Sequence, residues 1–394
     1  MRVWRALAAA VTVGTCWATL ASSAYGVAIT QHTVTGPPAQ ELVAWSGGLV
    51  ATGSSPGASF GVLSTSPYKL TAGPSGPEAE IIGVGPTGTA WFLVKKTAKE
   101  TVLYESSLTA SPLAANAKYT FPSTYTGGPM SIIVDTTGAV WLAATPSMAI
   151  ERFLPGASGF ESIKLPFPAT PTELAAAPEG GLWYIDTRGA VGHVTSSGEI
   201  QEFVIPPTQF AQGLSGLRSI AVDASGNAWF TQWTSQAIGR ITPSGQISEY
   251  PIPNPKHLVV GVAGAPQPLD LAVGKEGAVW FTDPGDASIG EVNANGEVSE
   301  YPLPAPAKTT PPTPTPLPLK IALAPNGELW FTESINAFGS VNPSGATASS
   351  ASSPSAVTSC YRRPKAKHGG KRISAHCSRA KRRKRGAHRA ARKA

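Results

Sequence analysis

The amino-acid sequence predicts an all-β fold: a seven-bladed β-propeller of four-stranded blades, closed by the N-terminal strand and followed by a disordered basic tail. Three observations lead there. A phrase made of a glycine turn and an aromatic strand recurs as PTGTAWF, TTGAVWL, PEGGLWY, ASGNAWF, KEGAVWF and PNGELWF. It places Trp91, Trp141, Trp183, Trp229, Trp280 and Trp330 at intervals of 50, 42, 46, 51 and 50 residues, and a period of roughly 40–50 residues is that of propeller blades. A worn copy, SGGLVAT, puts Val50 in the Trp position 41 residues before Trp91, which makes seven. The last copy stops after FGSVNPSGA, without the SEYPLP run of its neighbours, while VAITQHTVTGPP near the N-terminus reads as a fourth strand with no copy of its own. Pairing the two closes the ring and removes the exposed edges.

Each copy has the texture of four short strands. Around Trp280, LDLAV reads as a first strand. KEG is a turn whose glycine suits positive φ. AVWFT and SIGEV are the second and third strands, NANG is a turn, and EVSEYPL is a fourth strand ending at Pro302, where proline fits an edge or a strand end. With 41 Gly and 37 Pro in 394 residues, glycine and proline interrupt every candidate for a long helical period.

The ends differ from this body. Residues 1–26 read as an export signal: MRVWR carries two positive charges, Ala6–Leu20 is apolar, and SSAYG offers small residues for cleavage. Thr15 in VGTC makes a poor lipidation box around Cys16. No apolar run of 20 residues follows, so no transmembrane anchor is expected. Residues 27–345 form the propeller. TTPPTPTPLPL between the last two copies is an extended loop, 346–359 a Ser/Ala-rich linker, and 360–394 a basic tail.

The net charge of +7 describes neither part. Of 31 Lys and Arg, fifteen lie in 361–394, which holds no acid, and Arg2 and Arg5 leave with the signal. Fourteen basic residues then face all 24 acids, so the mature body carries −10. In an exported context Cys360 and Cys377 read as a disulfide loop. The tail reads as a ligand for anionic surface polymer or another polyanion. The expected location is secreted or cell-surface associated, and a monomer is expected.

The copies WFTQWTSQAIGRITPSGQISEYPIP and WFTDPGDASIGEVNANGEVSEYPLP resemble the repeats of the virginiamycin B lyase family, and more broadly those of NHL-like propellers. The resemblance covers roughly residues 27–345. It implies an enzyme that opens a cyclic depsipeptide ester by elimination with Mg²⁺, which needs a base for the proton alpha to a carbonyl and a metal to steady the developing charge. In the family these are His residues opening the sixth and seventh copies, Glu residues in the seventh and a Tyr in the first. Here the matching positions hold Leu269 and Leu319 for His, Leu317 and Ser334 for Glu, and Gln40 for Tyr. Apart from the tail, the only histidines are His32, His193 and His257, and none opens a blade.

By the same analogy, first-strand starts and the residue after WFT should face one mouth of the central channel. These are Glu80, Glu173, Arg218, Asp270 and Lys320, then Asp186, Gln232, Asp283 and Glu333. A hard cation, Mg²⁺ or Ca²⁺, is what such acids would hold; as solvated mouth residues they would hold none, and this is the favoured reading. Phosphate-cradling glycine motifs, zinc spacings and a serine nucleophile elbow are absent. The Trp residues in register with the turn are packing residues; Trp233, outside it, is the one expected to make a surface contact. Two function classes remain: a binding or surface-associated propeller retained by its tail, and a metal-assisted lyase. The sequence leaves open which small ligand or protein the propeller face meets.

Overall fold

The structure, a computed structural model, describes residues 27–33, 39, 41–53, 60–65, 68–72, 79, 81–97, 100–110, 112–121, 129–144, 148–205, 216–254, 264–304, 315–334 and 337–343. All belong to the unit Met1–Thr358; the unit Ser359–Ala394, with the tail and its cysteines, lies outside the described residues. Gln40 and Glu80 also lie outside them.

The described chain forms seven four-stranded sheets. Six are antiparallel meanders spanning 42–72, 81–120, 129–164, 171–204, 217–251 and 271–302, numbered here as blades one to six. The seventh combines three strands of 318–341 with Ile29–Thr33, which pairs antiparallel with Ala337–Val341. The N-terminal strand therefore supplies the fourth strand that the last copy lacks.

The recurring phrase is the second strand of each blade, and its Trp packs between blades. Seven apolar clusters join Val50 to Phe92, Trp91 to Leu142, Trp141 to Tyr184, Trp183 to Phe230, Trp229 to Phe281, Trp280 to Phe331, and Trp330 back to Leu49. Burial of these large side chains is the main term holding the ring. Two aspartates add a fixed polar partner: Asp135 accepts from Trp141 Nε1 at 2.8 Å and Asp223 from Trp229 Nε1 at 2.9 Å, while each also caps its turn through backbone N–H groups.

A glycine in the third strand is required for a different reason. A Cβ at Gly192, Gly239, Gly290 or Gly339 would stand about 2 Å from the ring of Tyr184, Phe230, Phe281 or Phe331, which lies flat across that strand. The WFT threonine has its own task. At the bulged starts of the fifth and seventh blades' first strands, and at the same place in the sixth, the hydroxyls of Thr231, Thr282 and Thr332 accept the N–H of Ser219, Asp270 and Lys320. Thr231 and Thr282 then donate to the carbonyls of Leu269 and Leu319 in the following blade, at 3.2 and 2.7 Å. One hydroxyl thus fills the bulge and staples adjacent blades.

Candidate functional site

Within a blade the strands alternate in direction, so first-strand starts, second-strand ends, third-strand starts and fourth-strand ends share one end of the propeller. Pro171 pairs with Asp186, and Ala190 with Val204. The seven first strands line a central channel of about 730 Å³.

In the throat near that end, one ammonium meets three carboxylates. Lys320 Nζ lies 3.6 Å from Glu41, 3.8 Å from Glu173 and 3.9 Å from Asp270. Ser219 Oγ stands within hydrogen-bond reach of both Asp270 (2.6 Å) and Glu173 (3.2 Å), and Ile321 N donates to the other Asp270 oxygen at 2.8 Å. Burial opposes charge on Lys320, but the three carboxylates outweigh it and raise its proton affinity. Burial pushes Glu173 up to about 8, against the pull of Lys320 and with help from the charges of Asp270 and Glu41. Glu41 is also raised by burial, opposed by Lys320. Glu173 therefore holds its proton at neutral pH, and the excess of carboxylates over cations is part of the cause.

The register of this cluster is ten residues before the Trp: Glu173, Ser219, Asp270 and Lys320. Arg218 and Glu80 stand one position earlier, with Leu269 and Leu319. Arg218 accordingly does not join the carboxylates; its guanidinium sits 5.2 Å over the ring of Trp233. Ser219 and Glu41 were missed by sequence reasoning. The ten-residue spacing would have found the serine, but no equivalent signal marks Glu41.

The second-strand ends depart from expectation. Asp186, Gln232, Asp283 and Glu333 are at the same end but do not line the channel, and burial replaces the solvated setting expected of them. They turn into the blades toward the fourth strand. Asp186 and Glu202 are bridged by Arg188. Gln232 Nε2 donates to Glu249 at 3.0 Å, and Gln31 Nε2 to Glu333 at 2.9 Å. In blade six Asp283 faces Glu300. Alternation along the strand explains the turn: these residues lie two positions after Tyr184, Phe230, Phe281 and Phe331 and share their face.

The positions that the family resemblance makes catalytic do cluster. Leu269 N donates to Thr282 O, Thr282 Oγ1 donates to Leu319 O, and Leu317 and Ser334 bond one another at 3.0 and 3.1 Å. These bonds hold four of the five together at the strand-start end, although none of the four lines the channel; three are aliphatic and Ser334 is an exposed hydroxyl. At this end Met130, Met148, Phe167 and Val204 are exposed, all on, just before or just after strands of blades three and four.

A profile of the virginiamycin B lyase family matches residues 64–350. The chain belongs to the virginiamycin B lyase family. Among solved structures, similarity is found to a catalytically inactive variant of virginiamycin B lyase from Staphylococcus aureus with quinupristin: 21% identity, 80% of this chain, 99% of that chain and a TM-score of 0.63. A streptogramin B lyase structure gives 21%, 80%, 97% and 0.61. The WD40 propeller domain of Doa1 gives 11%, 79%, 97% and 0.57. At these identities the structural likeness speaks for the fold alone. No curated protein matches.

The metal that the family implies does not fit the residues present. Leucine offers no ligand atom at three of the positions, Ser334 offers a neutral hydroxyl engaged with Leu317 N, and in the throat the Lys320 ammonium stands among the acids that a cation would need. Among the described residues no group of three or more His, Cys, Asp or Glu is arranged to hold a metal. Among them, too, no helix is long and apolar enough to cross a membrane.

Proposed function

We propose that this chain is an exported binding propeller of the virginiamycin B lyase family, held at the cell surface by its basic tail and without the family's elimination chemistry. The observation that carries this reading is the leucine pair: Leu269 and Leu319, whose main chains are joined through Thr282, stand at the positions where the family resemblance expects histidine. An aliphatic side chain neither takes a proton nor binds a cation. The exposed apolar residues of blades three and four suit contact with a ligand or partner at the same end. The tail supplies retention: fifteen Lys and Arg in 361–394 stand against a body of −10, so the body alone is repelled by the polymers that attract the tail.

The test compares full-length protein with a form ending at Cys360 on an anionic wall polymer or anionic vesicles. Full-length protein should bind and be released steeply as salt rises, while the truncated form stays folded and unbound. Equal retention of the two forms would refute the role of the tail.

A second reading, a lyase with a different residue set, is favoured by one observation. Glu173, carrying its proton at neutral pH inside the channel, has the proton affinity of a general acid.

A further inference from the structure

Blades four to seven repeat one arrangement: a polar second-strand end, two residues after the aromatic that pairs with the third-strand glycine, faces diagonally the fourth-strand residue opposite that glycine. The register is the same in each, with Gly192 opposite Glu202, Gly239 opposite Glu249, Gly290 opposite Glu300, and Gly339 opposite Gln31. In blade four Arg188 supplies the proton donors between two acids; in blade five Gln232 does; in blade seven Gln31 does. Of these four, blade six alone sets acid against acid with no such donor between them. Asp283 is 0% exposed, and its Oδ1 accepts from Gln267 N at 2.9 Å and Asp286 N at 3.2 Å. Its Oδ2 is buried and reached by no fixed donor. Ser288 Oγ donates to Glu300 at 2.8 Å.

We propose that Asp283 and Glu300 share one proton, which latches the fourth strand of blade six to its second strand at acid and neutral pH and is lost in alkali. The proton does in blade six what an amide or guanidinium does in its neighbours, and two buried carboxylates without it would repel.

Among the described residues, no cation is paired with Asp283 or Glu300. Asp286, in the same turn, adds negative charge. Glu291 is on the adjacent third strand, but accepts from Tyr301 at 2.9 Å. Asp270 and Lys320, on the first strands of blades six and seven, are engaged with each other in the throat, and Glu249 of blade five is bonded to Gln232. Burial, then the Asp283 charge, pushes Glu300 up to about 8. Burial raises Asp283 to about 6, opposed by the Gln267 and Asp286 N–H groups. Because these folded-state affinities exceed the unfolded ones, the folded protein holds the extra proton, and stability declines as pH rises from the ordinary Glu range through about 8.

The test is thermal unfolding of full-length wild type and E300Q between pH 5 and 9 in the presence of EDTA. The amide introduced by E300Q would donate to Asp283 as Gln31 does to Glu333. The wild-type melting temperature should fall across this range more steeply than that of E300Q. The ratio of folding constants should change by up to about tenfold per pH unit in the middle of the window. Glu173 titrates in both proteins and cancels. Infrared titration in an E173Q background, which removes the protonated acid of the throat, keeps the test open if the variant does not fold: a carboxylic-acid carbonyl band, present at pH 7 and lost above about 8, is expected, and adding D283N should remove it. Parallel melting curves, or no such band at pH 7, would overturn the latch. So would Ca²⁺ restoring the wild type, and not E300Q, at pH 9, because the site would then take a cation rather than a proton.

Discussion

The two ends of the propeller handle charge in opposite ways. Where the first strands begin, carboxylates converge: half-buried Glu41 and Glu173 and buried Asp270 surround Lys320 in the throat, and Asp186, Asp283 and Glu333 are buried inside the blades. At the other end the ion pairs face solvent, and the buried Asp135 is satisfied by its own turn and Trp141. Lys118 and Glu105 form a pair with side chains 40% and 29% exposed, and Arg152 bridges to a Glu161 that is 56% exposed. The polar work there is turn capping by Asp135 and Asp223, whose carboxyls fall below their ordinary range because the hydrogen bonds from the turn and the Trp outweigh burial. Seven Trp-centred or equivalent cores already hold the ring, and burying charged groups adds little to stability beside apolar packing of the same volume. The strand-start end therefore carries chemistry that folding does not require, and it is the end to search for ligands.

The contrast can be broken by removing one cation from each end. Lys320→Met would leave three carboxylates in the throat without their counter-charge. Loss of one partner of a buried ion cluster costs about 3–5 kcal/mol, and the partly exposed Lys320 side chain puts the expected loss near the lower figure. Urea unfolding at pH 7.5 measures it, and the deficit should shrink as pH falls, because burial raises the proton affinity of Glu41 and protonation removes its charge from the throat. Lys118→Ala, at the solvated end, should change stability by less than about 1 kcal/mol, with the residual effect screened by salt. Similar losses at both sites would erase the distinction between the two ends.

Much of this was legible in the sequence, and the reasons are physical. The Trp phrase fixed copy number because a turn glycine and a packing Trp are needed in every blade. The missing SEYPLP and the surplus ITQHT told which strands pair, and the pairing of Ile29–Thr33 with Ala337–Val341 follows. Side-chain direction was harder. Arg218 and Asp270, read as one set, stand one register position apart: both line the channel, but Arg218 lies over Trp233 and Asp270 beside Lys320. The acids of the fourth strands, Glu202, Glu249 and Glu300, stand at regular intervals in the repeated phrase, but their partners two strands away become visible only once the glycine between them is placed.

The central claim is that a family scaffold stands here with leucines at the positions of its reacting groups. Loss of a positioned acid or base typically removes about 10²–10⁴-fold of rate, and the missing metal ligands remove charge stabilisation as well. The most direct measurement incubates purified full-length protein with a cyclic streptogramin B and Mg²⁺ and follows the ring by chromatography coupled to mass spectrometry, since elimination leaves the mass unchanged. No ring opening above the uncatalysed background is the expected result. Metal-dependent turnover on the order of 1 s⁻¹ or faster would contradict it and place an active site among residues other than Leu269, Leu317, Leu319 and Ser334.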